Sequence, residues 1–318
     1  MKNNIYKYFI IIFLFILLPI KASGTEQFNF DVTDVEILEN GNLFKGKNKG
    51  IVTSENGIVI KADTFEYNKI QNILNANGNV IIEDKIQNYK IYTNSITYLK
   101  NSEIIFTENN SKAILNESKI ITADNFKYLK NQNIINSTGN VKLKDKVQNY
   151  ELTSEDITYF RNNEKIITKG KTNALIQSKY TINSSDILFM INDGIISSNY
   201  KTVLKDNNSN VYNLDSFTYL LEEEQLKGNN IIAISNFGLP KSDKLYFKNA
   251  VINLKDYSFI AKDTTIEIHK DVFGNPKNNP RIKGISSSKN GNITSIKKGI
   301  FTSCEENEKC PSWSIKAK

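Results

Sequence analysis

The sequence predicts an all-β protein assembled from tandem units of about thirty residues. Three observations carry this expectation. The first is a self-match at one fixed offset. Lys85-Ile-Gln-Asn-Tyr89 returns sixty-one residues later as Lys146-Val-Gln-Asn-Tyr150. At the same offset Ala62-Asp63 returns as Ala123-Asp124, Gly78-Asn79-Val80 as Gly139-Asn140-Val141, and Ile96-Thr97-Tyr98 as Ile157-Thr158-Tyr159. The second is a half-period inside it: Tyr67, Tyr98, Tyr128, Tyr159, Phe189 and Tyr219 close successive units at spacings of 30 or 31 residues. The third is a step of two, with apolar residues seven and two positions before each closing residue, which places them on one face of a β-strand.

Taken in chain order, the first element is a leader. Lys2 and Lys7 precede an apolar run from Tyr8 to Ile20, followed by Lys21 and the small residues Ala22-Ser23-Gly24. This is the layout of a secretory signal peptide with cleavage near Gly24. At thirteen residues the run is shorter than the roughly 18 needed to span a bilayer. Removing residues 1–24 takes away Lys2, Lys7 and Lys21 and no acid, so the net charge falls from +7 to +4. That mild excess is scattered among acids in a Lys-, Asn- and Ile-rich composition, and it predicts no nucleic-acid partner.

The units themselves fill residues 25–268. Ile60, Phe65 and Tyr67 set the template, which Ile121, Phe126 and Tyr128 repeat, as do Tyr212, Phe217 and Tyr219. Weaker versions stand at the ends, in Phe30, Val35 and Ile37 and in Phe247, Ile252 and Leu254, making eight units. The fifth position before each closing residue is mostly small: Val32, Ala62, Thr93, Ala123, Ser154 and Ser184. From there the apolar pattern jumps by three, which moves it to the opposite face unless the strand bends. The reading is a corner in a strand that wraps around the core. A second strand follows in many units around Gly78-Asn79 or Gly139-Asn140, pairs that suit tight reversals. No helical periodicity competes after Gly24, so one wrapped β array with a continuous interior is expected.

After Ile268 the template is absent, and three of the five prolines fall in residues 269–318, at Pro276, Pro280 and Pro311. This segment reads as a connector. It holds the only two cysteines, Cys304 and Cys310, which an exported chain can oxidise.

Sites of chemistry are missing from the pattern. The mature chain has one histidine, His269, and the cysteine pair lacks further ligands for tetrahedral zinc. There is no nucleophile elbow, P-loop or dinucleotide fingerprint. Asp63, Asp124 and Asp186 recur beside the small position, and an acid repeated in every coil marks a structural place, whereas an active site is needed once. The expectation is a non-enzymatic protein without cofactor or metal.

A small residue followed by Asp (Ala62-Asp63, Ala123-Asp124), a closing Tyr and then Gly-Asn-Val resembles the OstA-type β-jellyroll of lipopolysaccharide transport over roughly residues 28–268. The tail, Gly299-Ile-Phe-Thr-Ser-Cys304 and Cys310-Pro-Ser-Trp313-Ser-Ile-Lys-Ala317, resembles the segment that joins the jellyroll to an outer-membrane barrel in the LptD family. His269-Lys270-Asp271 and Pro280-Arg-Ile-Lys-Gly284 fit the same connector. The resemblance implies a periplasmic, outer-membrane-associated place and a barrel beyond Lys318, either lost from a fragment or supplied by a separate chain. It implies lipopolysaccharide as ligand, an LptA-like bridge protein joined by edge-strand addition, and, in a full-length LptD-type protein, an LptE-like lipoprotein and the barrel as further partners.

Under that resemblance Ile60, Phe65, Ile91, Ile121, Phe126, Leu152, Ile182 and Phe217 line an apolar groove for acyl chains. Read from the residues alone, the same stripe packs against itself as a closed core, and both readings stand at this point. A stand-alone LptA-like bridge, or a structural β-solenoid such as an adhesin passenger with no lipid role, are the alternatives. The resemblance ties Cys304 and Cys310 to cysteines far along the barrel in a full-length protein. Within these 318 residues they can bond only each other, and the expectation is that they lie close enough to do so.

Overall fold

The computed structural model describes residues 28–274, 278–304 and 314–317. Each unit is a pair of long, bent strands, and each strand hydrogen-bonds to the strands before and after it in sequence. Ile73–Asp84 pairs with Tyr89–Leu99, which pairs in turn with Ile104–Glu108 and Ser111–Leu115. All pairings in the array are antiparallel, and the only helical pieces among the described residues are 3-10 turns of three or four residues. The chain is therefore an all-β jellyroll of tandem units, as its periodicity predicts.

The corner expected from the jump of three is present. The ladder breaks at Asp63, between Val59–Ala62 and Thr64–Asn68, and at Asp124, between Lys119–Ala123 and Asn125–Leu129. Ile60 and Ala62 before the first break are buried, and so are Phe65 and Tyr67 after it. A strand that stayed straight would have turned one of these pairs to solvent. The bend keeps both inside.

The Gly-Asn pairs do not make reversals. Gly78-Asn79 and Gly139-Asn140 lie in mid-strand, where the register slips by one residue between Asn77 and Val80 and between Thr138 and Val141. Both residues of each pair have positive φ, which a type I′ turn also requires, but here the ladder continues on either side and the geometry serves a bulge. The adjacent acid explains the composition. Asn79 Nδ2 donates to Asp63 at 2.8 Å and Asn140 Nδ2 to Asp124 at 3.0 Å. A Cβ on Gly78 would stand 2.4 Å from Asp63 Oδ2, so the carboxylate fills the space that a side chain would need.

The intervening corners use hydroxyls. Ser111 Oγ lies 3.0 Å from Thr93 Oγ1 and 2.6 Å from Thr107 Oγ1, and Thr107 Oγ1 accepts the backbone N–H of Phe126 at 2.9 Å. Sixty-one residues later Ser154, Thr168 and Thr172 repeat the cluster, with Thr168 accepting from Ile187 N–H at 2.8 Å. Backbone donors freed by the bend are thus satisfied internally. From Asp63 to Ser154 the two corner types alternate, which accounts for a strong repeat of sixty-one residues over a weaker one of thirty there; the next corner, at Ser184 and Thr202, is again of the hydroxyl type.

The sheet also crosses Ile268, where the connector was expected to begin. Arg281–Asn290 pairs along Phe259–Glu267, and Ile293–Lys297 and Ile300–Thr302 pair with it in turn. His269 is held at this crossing: Asp243 Oδ1 accepts its backbone N–H at 2.9 Å and lies 2.9 Å from its Nδ1. No helix among the described residues is long and apolar enough to cross a membrane.

Candidate functional site

The interior is the one feature shared by every unit. Ile60, Ile91, Ile121, Leu152 and Ile182 on one arm of the bent strands, and Phe65, Phe126 and Phe217 on the other, all join a single apolar cluster that runs from Phe28 to Ala261. None of the eight is more than 3% exposed. At roughly 1.5–3 kcal/mol for each large side chain removed from water, this row dominates the stability of the array. The side chains of the sequence-predicted lining are thus brought together, and in this state they touch one another.

The two arms meet along a seam, and the seam has a repeating construction. Nine residues before each closing residue stands a residue within one position of a strand start, and where that residue is aromatic it packs edge-to-face against the closing ring of the next unit. Tyr89 meets Tyr128 with ring centroids 5.0 Å apart, Tyr150 meets Phe189 at 5.0 Å, Tyr180 meets Tyr219 at 5.4 Å and Phe28 meets Tyr67 at 5.0 Å. Such pairs add about 0.5–1.5 kcal/mol beyond the area they bury. Among the described residues the hydroxyls of Tyr89 and Tyr150 find no hydrogen-bond partner.

Polar clasps lie over these rings and join turns from opposite ends of the strands. Five residues after Tyr67, Tyr98, Tyr128 and Tyr159 the backbone has positive φ, and the side chain accepts the tyrosine O–H: Asn72 from Tyr67 at 2.6 Å, Glu103 from Tyr98 at 2.6 Å, Asn133 from Tyr128 at 2.9 Å and Glu164 from Tyr159 at 2.8 Å. Around Glu103, Lys100 and Lys130 both donate, the second at 2.9 Å, and Asn56 reaches it from the facing turn. Arg161 donates to the Gln87 carbonyl at 2.7 Å and to Tyr128 Oη at 3.1 Å. Lys119 forms ion pairs with Asp145 at 3.2 Å and Glu164 at 3.1 Å. Glu224 accepts from Lys179 at 3.0 Å and from Tyr180.

The charges are set by these contacts. Burial opposes ionisation of Glu103, yet hydrogen bonds from Lys100, Tyr98 and Lys130 outweigh it and hold its carboxyl below the ordinary range. The bonds from Tyr180 and Lys179 do the same for Glu224. Burial, reinforced by the adjacent Glu103 carboxylate, pushes the Tyr98 phenol up, so it stays a donor. None of these groups is arranged as a nucleophile with a base.

The seam changes at Asn210. This residue stands nine before Tyr219, in the place of Tyr89, Tyr150 and Tyr180, and its amide turns to Asp206 Oδ2 at 2.8 Å. Without the aromatic pair a cavity of about 290 Å³ opens between Tyr212, Ala233, Leu245, Phe247, Ile252 and Phe259, with Asn208, Asn210, Tyr257 and Lys289 at its rim. The clasp above it is neutral, Asn208 Nδ2 donating to Tyr257 Oη at 2.5 Å. Sequence reasoning missed both the clasps and this cavity. The alternation of Asn72, Glu103, Asn133 and Glu164 five residues after the closing tyrosines was the available signal.

At the C-terminal end Cys304 is buried, and its carbonyl accepts from Arg281 Nη1 at 2.7 Å. Cys310 and Trp313 lie outside the described residues, and so does the expected pairing of the two cysteines. The leader, residues 1–24, lies outside them as well.

Fold and seam together define a repeat-built β-jellyroll closed around an apolar interior. No protein-family model matches the chain, and no curated protein does. Among solved structures it is similar to the crystal structure of LptH, the LptA-homologous periplasmic component of the conserved lipopolysaccharide transport device from Pseudomonas aeruginosa. The two share 14% identity at a TM-score of 0.33, over 35% of this chain and 82% of that one. A likeness of this size carries no argument about what the chain does.

Proposed function

We propose that the chain is a periplasmic part of the lipopolysaccharide transport machinery, the jellyroll portion of an LptD-type protein that accepts lipopolysaccharide from an LptA-like bridge and passes it towards the outer membrane. The observation that carries this reading is the uninterrupted apolar row inside the array, from Phe28 to Ala261, with an opening beside Phe247. A lipid crossing water needs continuous apolar lining, because each exposed CH₂ costs about 0.8 kcal/mol. The sequence motifs quoted above support the same reading. Because the interior is closed here, the lipid would enter by parting the seam or through the opening. The protein acts without covalent chemistry, as a surface for a non-enzymatic transfer.

The bridge protein would join at the first strand, Phe28–Leu38. Among the described residues it pairs only with Leu43–Ser54, and Val35, Ile37 and Leu38 on it are exposed. An edge of this kind accepts another strand. Proline at Val32 or Val35 is expected to abolish that association and leave the fold intact.

Photo-crosslinkable residues at Ile91, Ile121 and Leu152 test the main proposal, with lipopolysaccharide adducts as the expected result. No adduct from any inward position would refute it. The near-complete burial of these three side chains favours the second reading, a structural β-solenoid with a sealed core, which predicts that outcome.

A further inference from the structure

The inward row ends in a charge. Phe259 lies opposite Ile252 on one side and opposite Lys289 on the other, and residues paired in a ladder share a face. Lys289 therefore occupies a place that isoleucine, leucine or phenylalanine fills elsewhere in the array. It is half-buried and, among the described residues, forms no ion pair. An inward charge can protect a sheet edge, but this strand continues into a further pairing with Ile293–Lys297. The lysine faces an apolar cavity and not a free edge.

Two further observations point to a ligand. Tyr257, at the rim, has φ of 59°, a region that bulky side chains avoid unless their surroundings impose it. Its ring and Asn208 divide the apolar cavity from a second, polar cavity of about 330 Å³ bordered by Lys179, Glu224 and Lys255. Each primary amide carries two N–H donors, and Asn208 uses one on Tyr257. The cavity thus offers an apolar floor, a cation and a spare amide donor at a single mouth.

We propose that this cavity binds a single straight acyl chain ending in a carboxylate, with the chain on Phe247 and Ile252 and the carboxylate on Lys289 and Asn208. The inference rests on the reading of the interior as lipid-binding and gives one place in it a ligand class. A volume of about 290 Å³, at about 30 Å³ for each water-sized group, holds roughly ten heavy atoms. A medium-length chain fits whole. The source is either a free fatty acid or one chain of a larger lipid, whose ester or amide carbonyl would take the place of the carboxylate on Lys289 and Asn208 and whose head would lie in the polar cavity.

The test is displacement of radiolabelled decanoate from the full chain by octanoate, unlabelled decanoate and hexadecanoate, with decanol and lipopolysaccharide as parallel competitors. Decanoate is expected to compete about fifteenfold better than octanoate, near fourfold per added CH₂, with no further gain at hexadecanoate. Lys289→Gln should weaken decanoate about tenfold and leave decanol unchanged. Ala233→Phe, which fills the cavity, should abolish probe binding while circular dichroism shows an unchanged sheet. Competition by lipopolysaccharide as well as decanoate identifies one chain of a larger lipid as a source, and competition by decanoate alone identifies the free acid. Affinity that keeps rising to hexadecanoate, or equal loss of decanoate and decanol in Lys289→Gln, overturns the proposal. So does failure of decanoate to compete while Ile121 still crosslinks to lipopolysaccharide, a result that leaves the transport reading standing.

Discussion

The seam at Tyr150 and the seam at Asn210 occupy equivalent places in two units, yet one is shut and the other open. At Tyr150 an edge-to-face pair with Phe189 fills the space between the arms. At Asn210 an amide turns away to Asp206 and a cavity takes the place of the rings. Tyr150 pairs with Asp145 and Ile176 in the ladder, whereas Asn210 stands just before the strand Val211–Leu214. Ile58 and Lys119 hold the same place in two other units, where Ile58 is fully buried and Lys119 is paired with Asp145 and Glu164, so an aromatic ring is one of several ways to close the seam.

The comparison can be broken most strongly at the shut end. Tyr150→Ala removes a 3% exposed ring from a closed interior and is expected to cost about 3–5 kcal/mol in denaturant unfolding. Asn210→Ala removes two hydrogen bonds at the solvent edge, one donated to Asp206 and one accepted from the Asn236 N–H, and should cost about 1–2 kcal/mol. Equal losses would show that the two places do not differ as described.

Next in size is the clasp at Glu103. Glu103→Gln leaves Lys100 and Lys130, 9% and 6% exposed, without their counter-charge, and is expected to destabilise by about 3 kcal/mol. The same carboxyl gives a pH signature. Its folded value lies below the ordinary 4.5, so its contribution is complete above the unfolded value and is lost as pH falls through 4.5 towards the folded value. Wild-type unfolding free energy should drop over that interval more steeply than that of Glu103→Gln. Parallel curves would place the clasp's contribution elsewhere.

A smaller effect is expected at a corner. Gly139 has φ of 75°, and a Cβ there would lie 2.3 Å from Asp124 Oδ2. Gly139→Ala should lose about 1–3 kcal/mol, and a concurrent Asp124→Ala should recover part of it by opening the space. The smallest change sharpens the seam comparison. Because the Tyr150 hydroxyl is buried without a partner, Tyr150→Phe should leave stability within about 0.5 kcal/mol of wild type or raise it. A loss above 2 kcal/mol would reveal a hydrogen bond that the packing does not suggest.

Much of the architecture was legible because it is periodic. Steps of two named the buried face, the spacing of Tyr67 to Tyr219 counted the strands, and the jump of three located the bends at Asp63 and Asp124. The Gly-Asn pairs were misleading because two consecutive positive φ values serve a reversal and a bulge alike, and only pairing beyond the pair distinguishes them. The clasps were illegible for a different reason. Lys119 and Glu164, or Tyr180 and Glu224, are brought together by the closing of one arm on the other, and no local preference marks that contact. The cavity at Asn210 was visible only as a missing tyrosine, which carries meaning once Tyr89, Tyr150 and Tyr180 are known to be plugs.

The alternation of acid-amide and hydroxyl corners bears on how a protein of this kind changes length. Excision of Tyr89–Asn149 would join Asn88 to Tyr150, two residues that already follow and precede equivalent neighbours. Asn88 and Asn149 share the same left-handed backbone, and Asp84 and Asp145 each accept an N–H from the glutamine that follows, Gln87 at 2.9 Å and Gln148 at 3.1 Å. Asp84 would meet Tyr150 in the register that Asp84 now keeps with Tyr89 and Asp145 with Tyr150. Excision of a single unit of thirty here would instead set two corners of one type side by side, as the hydroxyl corners at Ser154 and Ser184 already stand. A cassette of four strands, about 19 Å along the stack, is thus the length that could leave this region with each of its corner contacts reproduced.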